Sequence, residues 1–414
     1  MLRSLFSGVS GMRTHQLDMD VIADNIANVN TAGYKAGRMT FKQVYSQLLR
    51  GARGPLGNQG GINPLQVGLG VTTGSIDTLF TQGAPQATGR DTDLAIDGNG
   101  FFVLTTDGTT RYYTRSGNFS VDSGGNLVYA NGMKVMGWNA DPATGVVDTS
   151  QAIDALTLPI TTTIPAQATS KVYLSGNLDS RTPINGTVTM SFDVYDSLGT
   201  SHALVLTFTK TDNNQWEIQA GDATLDGNPA TGGLPIPISF DQSGAPQTPT
   251  STGLPGLQFT LTNGASDIDI DLNWAAMTQY AQANNPTLAS QNGYAPGYLV
   301  RFTIDDAGVL KGVFSNDLTR DLGQIALATF TNQEGLVKQS DTLFTVSGNT
   351  GTVTVGQPSS GNRGKLVPGF LEMSNVDLSQ EFTNLILAQR GFQANSRVIT
   401  TSDELLQELM TLKR

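Results

Sequence analysis

Apolar side chains follow three different regimes along the chain. Near the N-terminus Leu2, Leu5, Val9, Met12, Met19 and Ile26 recur at alternating steps of three and four, with Gln16 and Ala23 filling the vacant heptad positions. This spacing predicts an amphipathic, coiled-coil-like helix. Near the C-terminus Leu378, Leu385, Phe392, Ile399 and Leu406 recur every seven residues. The seam positions between them are mixed: Phe382 and Met410 are apolar, Gln389, Ser396 and Asp403 polar, so this second helix needs partners on one side only. Its start is signalled by SNVD, where Ser374 can cap and Asp377 can reach back.

Between the ends the period changes. Residues 51–75 (GARGPLGNQGGINPLQVGLGVTTGS) are rich in Gly, Pro and Asn and carry neither period, which predicts a linker or an irregular extended segment. Residues 93–138 alternate short β-rich runs with Asp-Gly, Gly-Gly and Asn-Gly turns, the pattern of successive hairpins. The stretch VRFTIDDAGVLKGVFSN from Val300 has the same character. One β-domain is therefore expected to be built from both sides of an insertion. The insertion carries strands of its own (TVTMSFDVYDSLGTSHALVLTFTK, QWEIQA, SDIDIDLNW). The expected class is mainly β with paired terminal α-helices. Its domains are a helical one over 1–35 and 374–414, extended linkers over 36–75 and 358–373, an inner β-domain over 76–165 and 292–357, and an outer β-domain over 166–291. Loops 221–258 match no pattern.

Composition narrows the chemistry. The 414 residues exceed a comfortable single core. Without cysteine there is no disulfide, thiolate site or cysteine nucleophile. His15 and His202 stand alone, outside any metal-ligand spacing. A net charge of −11 without a Lys/Arg cluster argues against nucleic acid or an anionic membrane as partner. No apolar run is long enough to span a membrane, and the first residues lack the pattern of a cleavable secretory signal. Asp267, Asp269 and Asp271 resemble the start of a calcium loop, but Leu272 and Thr278 stand where Gly and Glu belong. The interleaved Ile268, Ile270 and Leu272 indicate a strand with one wet face. GQPSSGNR from Gly356 lacks the Lys and Ser/Thr of a phosphate loop. No enzyme, cofactor or metal site is expected.

What remains are the terminal helices. They have no helical partner elsewhere in the chain, so they must find each other or other copies. Full burial of the five seven-spaced side chains of the second helix would contribute about 7–15 kcal/mol before entropy is subtracted, more surface than one partner helix covers. The surplus favours a homopolymer. NIANVNTAGYKAGRMTF, residues 25–41, ends the first helix with three amides. Asn30 or Gly33 can adopt the left-handed conformation that stops a helix, with Tyr34 as an anchor beyond it. One reading makes Asn30 and Gly33 a plain cap. The other has Asn25, Asn28, Gln389 and Asn395 exchanging hydrogen bonds between neighbouring subunits to fix register, while apolar seams supply affinity.

SGVSGMRTHQLDMDVIADNIANVNTAGYKAGR and SNVDLSQEFTNLILAQRGFQANSRVITTSDELLQELMTLKR resemble the N- and C-terminal signatures of the bacterial flagellar axial (rod and hook) proteins. DLAIDGNGFFVL and YTRSGNFSVDSGGNLVYANGMKVMGW extend the resemblance into the β-body, and FDVYDSLGTSHALVLTFTK resembles the outer domain of the hook members. The resemblance implies a self-assembling, flexible curved tube that acts as a universal joint and passes torque from rod to filament. It implies export through the flagellar type III channel, an extracellular location, helices lining the tube, and β-domains in outer layers. The distal rod protein, the hook-cap scaffold and the hook–filament junction protein are the implied neighbours. A distal rod protein of the same family, and a secreted glycan-binding β-protein, stay open as alternatives.

Overall fold

The computed structural model describes residues 2–55, 60–142, 144–160, 163–247 and 256–411. The side chain of Leu2 and part of the unplaced loop, 248–255, lie outside the described residues. The chain divides into two compact units. One comprises Met1–Leu158, Phe302–Lys311 and Asp321–Arg414, the other Pro159–Arg301 and Gly312–Arg320.

In the first unit, helix α1 (Leu2–Ala27) pairs with helix α2 (Leu378–Thr411). The start of α2 corrects the capping expectation: Asp377, not Ser374, is the N-cap. Its Oδ1 accepts the Ser379 and Gln380 N–H groups at 2.8 and 3.2 Å, placing a negative charge at the positive end of the helix dipole. Residues after α1 do not run as a plain linker. Strand β1 (Gly37–Gln43) pairs antiparallel with β4 (Val71–Thr78), and β2 (Ser46–Arg50) with β3 (Leu65–Gly68). A two-stranded ribbon satisfies its backbone through its own ladder and needs no apolar period, which is why the sequence pattern hid it. The β1/β4 end lies along α1, with Met39 buried and Gly37 beside Val21.

The core of this unit's β-body collects Phe101, Val103, Tyr113, Phe330 and Phe344. The rings of Phe101, Tyr113, Phe330 and Phe344 meet edge-on at 4.8–6.0 Å, as aromatic quadrupoles prefer.

The second unit packs a six-stranded sheet, which includes the hairpin Thr187–Tyr195/Ser201–Asp212, and a four-stranded sheet, which includes Lys171–Asn177 and Ile268–Thr278. Trp216 and Trp274 lie fully inside its core. Strand Ile268–Thr278 turns Ile268, Ile270 and Leu272 inward and Asp269 and Asp271 outward, the one-wet-face strand that the alternation predicts.

Candidate assembly site on the paired helices

The helices run antiparallel, and most of what lies between them is small or polar. Ser4 Oγ sits 3.4 Å from Ser402 Oγ. Gly8 abuts Ile399, Gly11 abuts Asn395, and Gly391 abuts the ring of His15. A Cβ at Gly11 would stand 2.6 Å from Asn395 Oδ1, and one at Gly391 2.5 Å from His15 Nε2. Without those Cβ atoms the two backbones approach more closely than a Leu seam would allow. On α1 the buried positions are Gly8, Gly11, Thr14, Ile22 and Asn25. The predicted stripe of Leu5, Val9, Met12, Met19 and Ile26 lies next to them, only partly covered.

Helix α2 shows the same offset. Leu385, Phe392, Ile399 and Leu406 are partly covered, but the alternate seam positions are Ala388, Asn395 and Ser402, one residue before the expected Gln389, Ser396 and Asp403. This corrects the seam: Gln389 is exposed, while Asn395 faces Gly11 and returns its Nδ2 to Gly391 O at 2.8 Å. The consequence is an uncovered apolar flank. Leu378, Phe382, Ile386, Leu387, Val398 and Leu405 are 40–65% exposed, and on α1 Phe6 is 70% exposed.

The three amides at the end of α1 have distinct roles. Asn25 is 1% exposed, donates Nδ2 to Gly37 O at 2.8 Å and accepts the Gly37 N–H at 2.8 Å. Its Oδ1 also accepts the Tyr34 hydroxyl at 3.2 Å. Asn25 therefore fastens the helix end to β1 within one chain and has no free face for a neighbour, which corrects its inter-subunit reading. Asn28 is partly exposed and holds Asp24 through Nδ2. Asn30 is exposed and keeps an ordinary φ, whereas Gly33 takes φ +72°, its N–H donating to Glu372 O at 2.7 Å. Gly33 lies six residues beyond the end of α1 at Ala27, in the turn closed by Tyr34 N–H to Thr31 O at 3.2 Å, so neither Asn30 nor Gly33 stops the helix. Tyr34 is buried, with its hydroxyl 2.9 Å from Asp24 Oδ2 and Lys338 Nζ 4.1 Å from its ring centre. Burial first, then the hydrogen bond and charge of Asp24, push its phenol above the ordinary value.

Sequence reasoning missed the polar cluster next to it. Glu372 is held by Lys35 Nζ at 2.6 Å, the Gly83 N–H at 2.9 Å and Arg115 at 3.5 Å, with all three charged side chains at most 2% exposed. Lys35 Nζ also donates to Thr81 O at 2.7 Å, and Arg115 to Gly98 O at 2.8 Å. Burial pulls both cations below their usual values, and Glu372 works against it. Asn375 completes the junction by accepting the Ala36 N–H at 2.8 Å and donating to Leu79 O at 2.8 Å. Nothing in the sequence marks these charges as buried, since their partners lie hundreds of residues apart. Farther along the helices, burial raises the carboxyls of Asp18 and Glu381 above the ordinary range.

Terminal helices drawn together from opposite ends of a β-rich chain, pegged to its body, and left with an apolar flank define a structural subunit of an axial assembly. Four family descriptions match: "Flagella basal body rod protein" over 5–35, "Flagellar hook protein FlgE/F/G D1 domain" over 95–176, "Flagellar basal body protein FlaE D2 domain" over 157–294, and "Flagellar basal body rod FlgEFG protein C-terminal" over 367–412. The chain is similar to the flagellar hook protein FlgE of Borreliella burgdorferi, 41% identical across the whole of both chains, and to that of Treponema pallidum, 40% identical across the whole of both. The FlgE of Salmonella typhimurium is 35% identical over 99% of this chain and all of its own. A solved Helicobacter pylori hook protein, FlgE2, shares the fold at a TM-score of 0.53 and 15% identity, over 70% of this chain and all of that one. The chain belongs to the flagellar hook protein family, and its role is that of a structural subunit of the hook.

Proposed function

We propose that copies of this chain polymerise into a curved, compliant tube through the exposed flank of the helix pair. The observation that carries this reading is the division of labour on α2. The side toward α1 is mostly small and polar, with Ile399 against Gly8, while Phe382, Ile386, Leu387 and Leu405 stay 47–65% exposed. An apolar flank of this kind gains stability when another copy covers it. A face of one copy meeting a different face of the next is a heterologous contact, which propagates instead of closing. Among the described residues no helix is long and apolar enough to cross a membrane. The reading puts the tube outside the cell, between the distal rod and the junction with the filament, with the hook-cap scaffold at its growing end and type III export as its route.

The experiment is negative-stain electron microscopy after concentration in a precipitating salt. It compares the full chain with a form lacking residues 1–33 and 374–414. Curved tubes from the full chain alone support the reading, and monomers from both remove it. Similarity to the rod protein FlgG of Bacillus subtilis, 33% identical over the whole of both chains, favours a second reading as a rod subunit. Straight, rigid tubes would select that alternative.

A further inference from the structure

The second compact unit holds a histidine that the assembly reading does not use. His202 opens the second strand of the hairpin Thr187–Tyr195/Ser201–Asp212 and is 8% exposed. Both of its ring nitrogens face carboxylates. Nδ1 lies 2.6 Å from Asp226 Oδ2 and Nε2 lies 3.2 Å from Asp196 Oδ2. A neutral imidazole has one N–H and one lone pair, so it can satisfy only one of them and turns a lone pair on the other. The geometry fits the doubly protonated ring. We propose that His202 is a proton-operated clip: the imidazolium ties the hairpin turn at Asp196 to the turn at Asp226, and loss of one proton releases one of the two.

The surroundings separate the clip from an ordinary surface ion pair. Asp196 is fully buried and is also held by the Leu198 and Thr200 N–H groups at 2.9 and 2.8 Å and by Asn263 Nδ2 at 2.7 Å. Asp226, by contrast, has a half-exposed side chain and a positive φ of 50°. Its other oxygen accepts the Ala203 N–H at 2.8 Å. One carboxylate is fixed by many donors; the other, in a left-handed turn, has only the ring and the Ala203 N–H. Asp196 and Asp226 are the charged groups that face His202 across these packed turns. Burial works to lower the histidine's pKa, but the hydrogen bonds and charges of Asp226 and Asp196 outweigh it and hold it above the ordinary value.

The sign follows from linkage. A histidine raised in the folded state contributes stability that is complete below its unfolded pKa of about 6.5 and is lost as pH rises through its folded value. The two carboxylates, both lowered, lose their contribution on the acid side.

The first test is nitrogen NMR of the full chain carrying labelled histidine, which holds only His15 and His202. A His15→Gln form assigns the signals. Both ring nitrogens of His202 protonated at neutral pH, with a titration midpoint above about 6.5, is the expected result; a single neutral tautomer at pH 7 overturns the proposal. The second is urea unfolding read by tryptophan fluorescence, since Trp216 and Trp274 lie in the core of this unit. The midpoint of the His15→Gln chain should fall between pH 6 and pH 9, and adding His202→Gln should remove that fall. An equal fall in both forms sinks the clip. If His202→Gln fails to fold, the NMR result on the native ring decides alone.

Discussion

Replacing Glu372 with glutamine keeps the shape of the junction and removes its only anion. Lys35 and Arg115 would then be two buried cations, at 0% and 2% side-chain exposure, without a counter-charge among the groups they now touch. Breaking a buried pair by removing one partner costs about 3–5 kcal/mol, because the surviving charge stays desolvated. Here two charges survive, which argues for the upper part of that range. The amide can still accept from Gly83 N–H through Oε1, but its Nε2 would turn a donor toward the Arg115 guanidinium, which adds to the loss. For a unit of this size each kcal/mol shifts Tm by roughly 2–4 °C. The assay is thermal and urea unfolding of monomeric Glu372→Gln, with Lys35→Met and the double form completing a mutant cycle. Lys35→Met should cost less than Glu372→Gln, because it leaves Glu372 paired with Arg115, and the two changes should be strongly non-additive. A loss below about 1 kcal/mol for Glu372→Gln, or simple additivity, would show that the cluster is solvated in solution and that the argument from burial is wrong.

Other expectations follow from the same seam and junction. Gly391→Ala gains about 1 kcal/mol of helix propensity but drives a methyl into His15, at an overpacking cost of about 1–3 kcal/mol; calorimetry should show net destabilisation of the helix pair. Gly33→Ala should lose at least about 1–2 kcal/mol from the left-handed backbone alone, with Ser116 in the way of the new methyl; unfolding at or above the native midpoint would refute it. Asn28→Leu, at a partly exposed amide, should stiffen or misregister the assembled tubes, and native diameter and curvature in electron micrographs would count against this. Asp18 and Glu381 have raised folded pKa values, so the folded state binds protons more tightly and stability should fall as pH rises through those values. Asp18→Asn with Glu381→Gln should flatten that slope in a urea series run upward from about pH 4, the ordinary carboxyl value at which the loss begins.

The two helices and the alternating strands could be read from the sequence, but which face of each helix meets the other could not. The seven-residue repeat located α2, and the alternation around Asp269 located its strand. The repeat did not reveal which side of each helix faces the other, since apolar side chains satisfy an inner seam and an outer polymer contact equally well. The inner seam is marked by glycine and serine at positions 4, 8, 11, 391 and 402, a signal that hydrophobic periodicity discards. Asn25 illustrates the same limit: an amide in a helix reads as a solvated or inter-subunit group until Gly37 is seen 2.8 Å away. The β1–β4 ribbon escaped because its ladder rests on backbone bonds and Gly-rich turns, and Lys35 with Glu372 escaped because pairing across the whole chain leaves no local trace.

The junction also has a mechanical meaning. The chain leaves α1 and returns to α2 through two segments cross-bridged by Gly33 to Glu372, Lys35 to Glu372 and Ala36 to Asn375. A twist applied to the helix pair therefore reaches the adjoining β-body through both chain ends loaded in parallel. A torsional load that would unravel a single tether is shared here between two rigidly coupled ones. On the proposed polymer reading, that leaves compliance to the contacts between copies.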